Sequence, residues 1–157
     1  MWTEKFFKNI FEKLSTEEVF NHRRVIMRAS ELKVFVVDVN VNSCEERIIQ
    51  DDLKVFYEII DCRTIDITPR KIGGKPFLVI CDDEGLFVSN NPISMADPTD
   101  RNNVIVGSVI ITGTADRDGD LTSLTDEDVE LIKQNVQTVI QTSLRGEMLR
   151  EIVVMTV

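Results

Sequence analysis

The sequence predicts an α+β fold: an antiparallel sheet with a central β-meander, covered by helices, plus an N-terminal helical hairpin. Three observations predict it. Residues 61–88 alternate apolar runs with turn residues, as strand, Gly73-Gly74 turn, strand, acidic turn and strand would. Residues 33–41 and 104–113 are rich in Val and Ile, the residues that suit a pleated surface. Residues 51–60 and 126–142 carry apolar side chains at helical spacing.

Along the chain, Phe6, Phe7, Ile10, Phe11 and Leu14 line one helix face, with Glu4, Lys5, Lys8, Glu12 and Lys13 opposite. Ser15-Thr16-Glu17-Glu18 is a capping box that starts a second helix over 16–30. This pair is the predicted hairpin. Phe6, Phe7, Ile10 and Phe11 are its candidate partner-binding residues, for another protein or for a second copy. The plainer reading is packing on their own domain. Residues 33–41 are the first strand. Residues 42–46 read as a turn or loop, 47–50 as a short strand. Leu53, Phe56, Ile59 and Ile60 give the next helix.

In the meander, Ile65 and Ile67 alternate with Thr64, Asp66 and Thr68. Pro69 cannot donate to a ladder, so this strand lies at an edge or bulges there. Gly73-Gly74 provides the positive φ angles of a two-residue hairpin turn. The run 76–81 is almost wholly apolar, which predicts cover on both faces. Asp82 to Gly85 turns the chain and 86–88 returns as a strand. Residues 89–103 are polar with no period and read as a long loop. Residues 104–113 form a buried strand with a bulge at Gly107. Thr125-Asp126-Glu127-Asp128 is a second capping box, with Thr125 as N-cap of a helix predicted to reach about 142 and acids at its positive end. Residues 152–157 add a last strand or dock on a partner. The helices 51–60 and 126–142 are expected to cover one face of the sheet.

A chain of 157 residues fits one domain. The expected division is an N-terminal helical extension, 1–30, and a single acidic α+β domain, 31–157. The net charge of −9 is uneven. Residues 1–30 hold six basic and four acidic residues. The remainder holds 12 basic and 23 acidic residues, a balance of −11. Such a body repels nucleic acid and anionic membrane and argues against direct nucleic-acid binding. No apolar run is long enough for a membrane span. Charges interrupt the N-terminal segment, so it is not read as a secretion signal. Cys44, Cys62 and Cys81 make no C-x-x-C pair and read as free thiols of a reducing cytoplasm.

The chemistry-bearing motifs each have a plain alternative. His22 is the chain's one histidine, so neither a zinc site nor a Ser-His-Asp arrangement can be assembled from ligand or triad spacing. The stretch 71–75 resembles a phosphate loop, but Pro76 stands where Ser or Thr is needed and a strand follows. Arg70, Lys71 and Lys75 remain a basic island and are the candidate ligand-binding residues for an anion. Asp116, Asp118, Asp120 and Glu127 fall at positions 1, 3, 5 and 12 of a calcium loop and are the candidate metal ligands. Leu121 stands where that loop needs Gly, and a strand precedes it, so a polar turn before a helix cap is the simpler reading. Asp82, Asp83 and Glu84 are acidic enough for magnesium or acid–base chemistry, but neighbours on a turn rarely converge.

Asp51-Asp52-Leu53, IGGKPFLVICDDEGLF (72–87), IVGSVIITG (105–113) and LTSLTDEDVELI (121–132) occur in this order. As a set, over residues 47–133, they resemble a family of uncharacterised domains found in phages and mobile elements of low-GC Gram-positive bacteria. The resemblance implies a small cytoplasmic accessory protein and carries over no catalytic residue. The expectation is a non-enzymatic acidic interaction protein with no cofactor. Its role would be to antagonise a host nucleic-acid-acting or defence protein. The alternative is a small-molecule or nucleotide-binding protein using Arg70, Lys71 and Lys75. A metal-dependent enzyme using the acids of 82–84 or 116–127 is a third reading.

Overall fold

The computed structural model describes residues 31–88, 91–142 and 145–156. The expected N-terminal helical hairpin, with Phe6, Phe7, Ile10 and Phe11, lies outside the described residues.

Alternation builds the first sheet. Leu32, Val34 and Val36 of strand β1 (Glu31–Asp38) point one way, and Phe35 and Val37 the other. The same split runs through β4 (Lys75–Asp82) and β7 (Val109–Thr112). Val36, Ile110 and Ile80 pair in one lateral row, and Phe35, Ile111 and Val79 in the next. Side chains of the first row meet Phe56 and Ile60 of helix α1 (Leu53–Ile60). Those of the second meet Val129 and Ile132 of helix α2 (Asp126–Gln134). Both faces of these three strands are therefore buried, as the apolar run at 76–81 predicted. The two helices lie on opposite faces, which corrects the expectation that they share one.

β2 (Ser43–Gln50) and β3 (Ile65–Ile72) complete an antiparallel sheet in the order β2-β1-β7-β4-β3. The centre is thus β1-β7-β4, and the meander supplies one central strand and one edge. Pro69 sits on that edge strand, where a missing N–H is tolerated. The β3–β4 turn is made by Gly73 and Gly74, at φ of +58° and +81°. A Cβ on Gly73 would come within 2.5 Å of Leu131 of α2, so the turn also needs glycine for space.

A second sheet was not foreseen. It runs β6-β5-β9-β8, from β5 (Ile93–Asp97), β6 (Asp100–Val106), β8 (Val136–Thr142) and β9 (Met148–Met155). Met95, Ile105 and Val154 turn inward beside α2 and close the second core. Three expectations change here. The predicted loop 89–103 contains a hairpin, reversed at Pro98-Thr99 with Asp97 accepting from Thr99 N–H at 2.8 Å. The predicted strand 104–113 is two strands in different sheets. Gly107, at φ +83°, turns the chain between them where a Cβ would strike Asn91 at 2.9 Å. The helix predicted to 142 stops at Asn135. Beyond it Val136, Thr138, Val139, Ile140 and Thr142 are β-branched and pair with β9.

The third meander strand is also replaced. Gly85–Phe87 is a single 3-10 turn, and β7 takes the place beside β4. The molecule among its described residues is therefore mostly β, two sheets with two helices. No helix among them is long and apolar enough to cross a membrane.

Candidate functional site

Two acidic segments, a basic hairpin and three cysteines hold the chemistry of the described residues. The first acidic segment follows β7. Gly113 N–H bonds Thr122 C=O at 2.9 Å, closing the base of a loop. Inside it, Asp116 Oδ1 accepts from the N–H groups of Asp118 at 2.9 Å and Asp120 at 3.0 Å. Asp116 N–H in turn bonds Asp120 C=O at 2.9 Å. These bonds bring one carboxylate oxygen each of Asp116, Asp118 and Asp120 within 4.8 Å of one another. Glu127 is not among them; it is exposed in the first turn of α2. Leu121, which argued against a calcium loop, is buried with Leu32, Ile49 and Phe56 and anchors the loop to the core.

That anchor sets the loop beside Asp51, a residue sequence reasoning used only as a helix start. Asp51 lies between β2 and Asp52, the N-cap of α1. It is 1% exposed, and neither carboxylate oxygen has a hydrogen-bond partner among the described residues. Burial, and then the charges of Asp120 and Asp52, push its pKa up to about 7. The one available signal was Asp51's place in the Asp51-Asp52-Leu53 motif. A second acid beside a helix cap does not by itself announce burial.

The second acidic segment ends β4. Asp82 Oδ1 accepts Glu84 N–H at 2.9 Å, and Phe87 N–H bonds Glu84 C=O at 3.0 Å. Gly85 is buried against Val106, and its C=O accepts from Asn91 at 3.0 Å. The turn is therefore held at its base while its tip is bare. Leu86 is 77% exposed and Phe87 87%. A shallow groove beside it is lined by Leu86, Arg70, Cys81 and Asp83.

The basic island divides. Strand alternation puts Arg70 and Lys75 on one face of the sheet and Lys71 on the other. Arg70 donates to Thr68 Oγ1 at 2.6 Å and Pro69 C=O at 2.8 Å. Lys75 pairs with Asp128 and lies 5.9 Å from the centre of the Phe77 ring. Asp128 completes the predicted capping box: Thr125 Oγ1 accepts its N–H at 3.1 Å, and its carboxylate accepts Thr125 N–H at 2.9 Å. Burial alone would raise the Asp128 pKa, but the bonds from Lys75 and Thr125 outweigh it and hold it low. Lys33 pairs with Asp126 and, at 3.4 Å, with Glu46, tying α2 to β1 and β2.

Cys81 is buried and Cys62 partly so. Burial pushes the thiol of Cys62 up to about 12 and that of Cys81 up to about 11. Both are neutral at physiological pH and poor nucleophiles.

Comparison with known proteins finds no match among the curated proteins and none among the solved structures. A family model does match, over residues 32–137, from the first strand to the start of β8. That span is wider than the motifs alone covered, and it contains both acidic segments, the basic hairpin and Asp51. The chain belongs to the DUF3846 family, a domain of unknown function.

Proposed function

We propose that this chain is a non-enzymatic, acidic interaction protein that docks on a basic partner through the Leu86-Phe87 tip. The observation that carries it is the pair of bare apolar side chains on a hydrogen-bonded turn, with Asp82, Asp83 and Glu84 just before them. Fully burying each apolar side chain in a socket contributes about 1.5–3 kcal/mol. The acids steer a positively charged rim toward them. In the cytoplasm of a Gram-positive host, the setting the resemblance implies, a phage or mobile-element protein of this kind would antagonise a nucleic-acid-acting or defence protein. Such proteins carry basic surfaces for phosphates, and an acidic body competes for them. The nucleotide-binding reading needs Arg70, Lys71 and Lys75 to converge, whereas Lys71 faces away and Lys75 is paired to Asp128.

The test is affinity capture from a Gram-positive lysate at physiological salt, with the wild-type chain and a Leu86→Ser, Phe87→Ser double variant. The reading expects a basic protein that the wild type retains, that added salt releases, and that the variant loses by at least about tenfold. Recovery of the same proteins by both forms overturns it. A second copy docking through Phe6, Phe7, Ile10 and Phe11 is the competing partner, and light scattering of the full chain separates the two.

A further inference from the structure

We propose that Asp51, Asp116, Asp118 and Asp120 together form a divalent-cation site selective for calcium. Two independent observations meet here. One is the loop, whose three carboxylate oxygens lie within 4.8 Å of one another. Oxygens on opposite sides of a calcium ion, bound at 2.3–2.6 Å, are about 4.6–5.2 Å apart, so a single ion spans the cluster. The other is Asp51, 1% exposed and with no donor for either oxygen among the described residues. The side chain whose charge acts on it most strongly is Asp120.

Buried carboxylates are otherwise paired or bound to metal, because losing water without a replacement is costly. No cationic side chain fills that role for Asp51 among the described residues. A cation between it and the loop would. The donors are all hard oxygens, which suits calcium, magnesium or manganese over zinc. Calcium is the better fit. It accepts irregular shells of 6–8 oxygens, whereas magnesium demands a tight octahedron at about 2.0–2.1 Å. Asp116 already gives one oxygen to two backbone N–H groups, which fixes its other oxygen for the ion. Backbone carbonyls and water would complete the shell.

The site differs from the one read in the sequence. Glu127, the expected twelfth-position ligand, stays on α2, and Asp51 takes the role of the remote carboxylate from 65 residues upstream of Asp116. The ion would therefore join the β7–α2 loop to the β2–α1 junction. This inference is independent of the docking reading.

Calcium titration of the full chain tests it, after chelation and exchange into metal-free buffer, by calorimetry and thermal melting. The expected result is saturable binding with a Tm rise of about 5–10 °C at a hundredfold excess over Kd. Magnesium should give a smaller rise. Asp118→Ala should weaken calcium binding at least about tenfold, read against that variant's own metal-free Tm. Asp51→Asn should lose the calcium response yet melt no lower than wild type without metal, since it removes a buried charge. Absence of heat and of a Tm shift at millimolar calcium overturns the proposal. So does a full calcium response in either variant.

Discussion

The segments 82–88 and 116–128 have similar acidic turns and opposite fates. Asp82-Asp83-Glu84 is followed by Gly85, Leu86 and Phe87, and the two large side chains stay in solvent. Asp116 to Asp120 is followed by Leu121, which is 6% exposed in the core beside Phe56. The acids do not decide this; the apolar residue after them does, by whether a neighbouring element offers it a cavity. Leu121 falls against β1, β2 and α1. Leu86 falls past the end of β4, where the chain leaves the sheet. The outward turn leaves two large apolar side chains in water, and the inward one brings Asp120 close enough for its charge to act on the buried Asp51.

Three substitutions would break or sharpen that contrast. Leu121→Ala has the largest expected effect, a loss of about 2–5 kcal/mol in chemical denaturation, because it opens a cavity and frees the loop. A cost below 1 kcal/mol, on the order of a surface change, would erase the distinction between the segments. Asp128→Ala comes next. It removes one half of the capping box and the partner of Lys75, for a loss of about 1–2 kcal/mol at neutral pH. The Asp128 carboxyl titrates below its ordinary range, so its contribution is complete above the unfolded pKa of about 4 and is lost as pH falls through the folded value. Melting curves should therefore separate wild type from variant at pH 7 and bring them together in strong acid. A difference that persists unchanged at low pH would assign the loss to packing. Phe87→Ser has the smallest expected effect, within about 0.5 kcal/mol, since the ring is already in water. A larger loss would mean that the tip is covered within the chain itself.

Legibility in the sequence followed how local the cause was. Thr125 with Asp128, Gly73-Gly74, the edge position of Pro69 and the two-sided burial of 76–81 were all readable, because each depends on a few adjacent residues. The second sheet was not. Val129, Ile132, Val136 and Ile140 fit one helical face, and only the strand partner at 148–155 makes the second pair extended. β6 opens Asp100-Arg101-Asn102-Asn103, residues that read as loop until β5 is beside them. The family resemblance located the segments typical of the family without saying what they do. Of the candidate site, the Asp116 loop was visible by spacing. Asp51 was not, because burial of a carboxylate is a property of the fold around it.

The place of β9 has a consequence for how the chain is made. It lies inside its sheet, parallel to β5 on one side and antiparallel to β8 on the other. Asn42, in the β1–β2 turn, holds it further, accepting from Ile152 N–H at 2.9 Å and donating to Arg150 C=O at 2.8 Å. During synthesis the β5–β6 hairpin and β8 emerge first and wait with open edges until residues 148–155 arrive. Strand edges exposed in that interval are templates for pairing with other chains. The interval before residues 148–155 pair is therefore the stage at which this sheet is most open to mispairing.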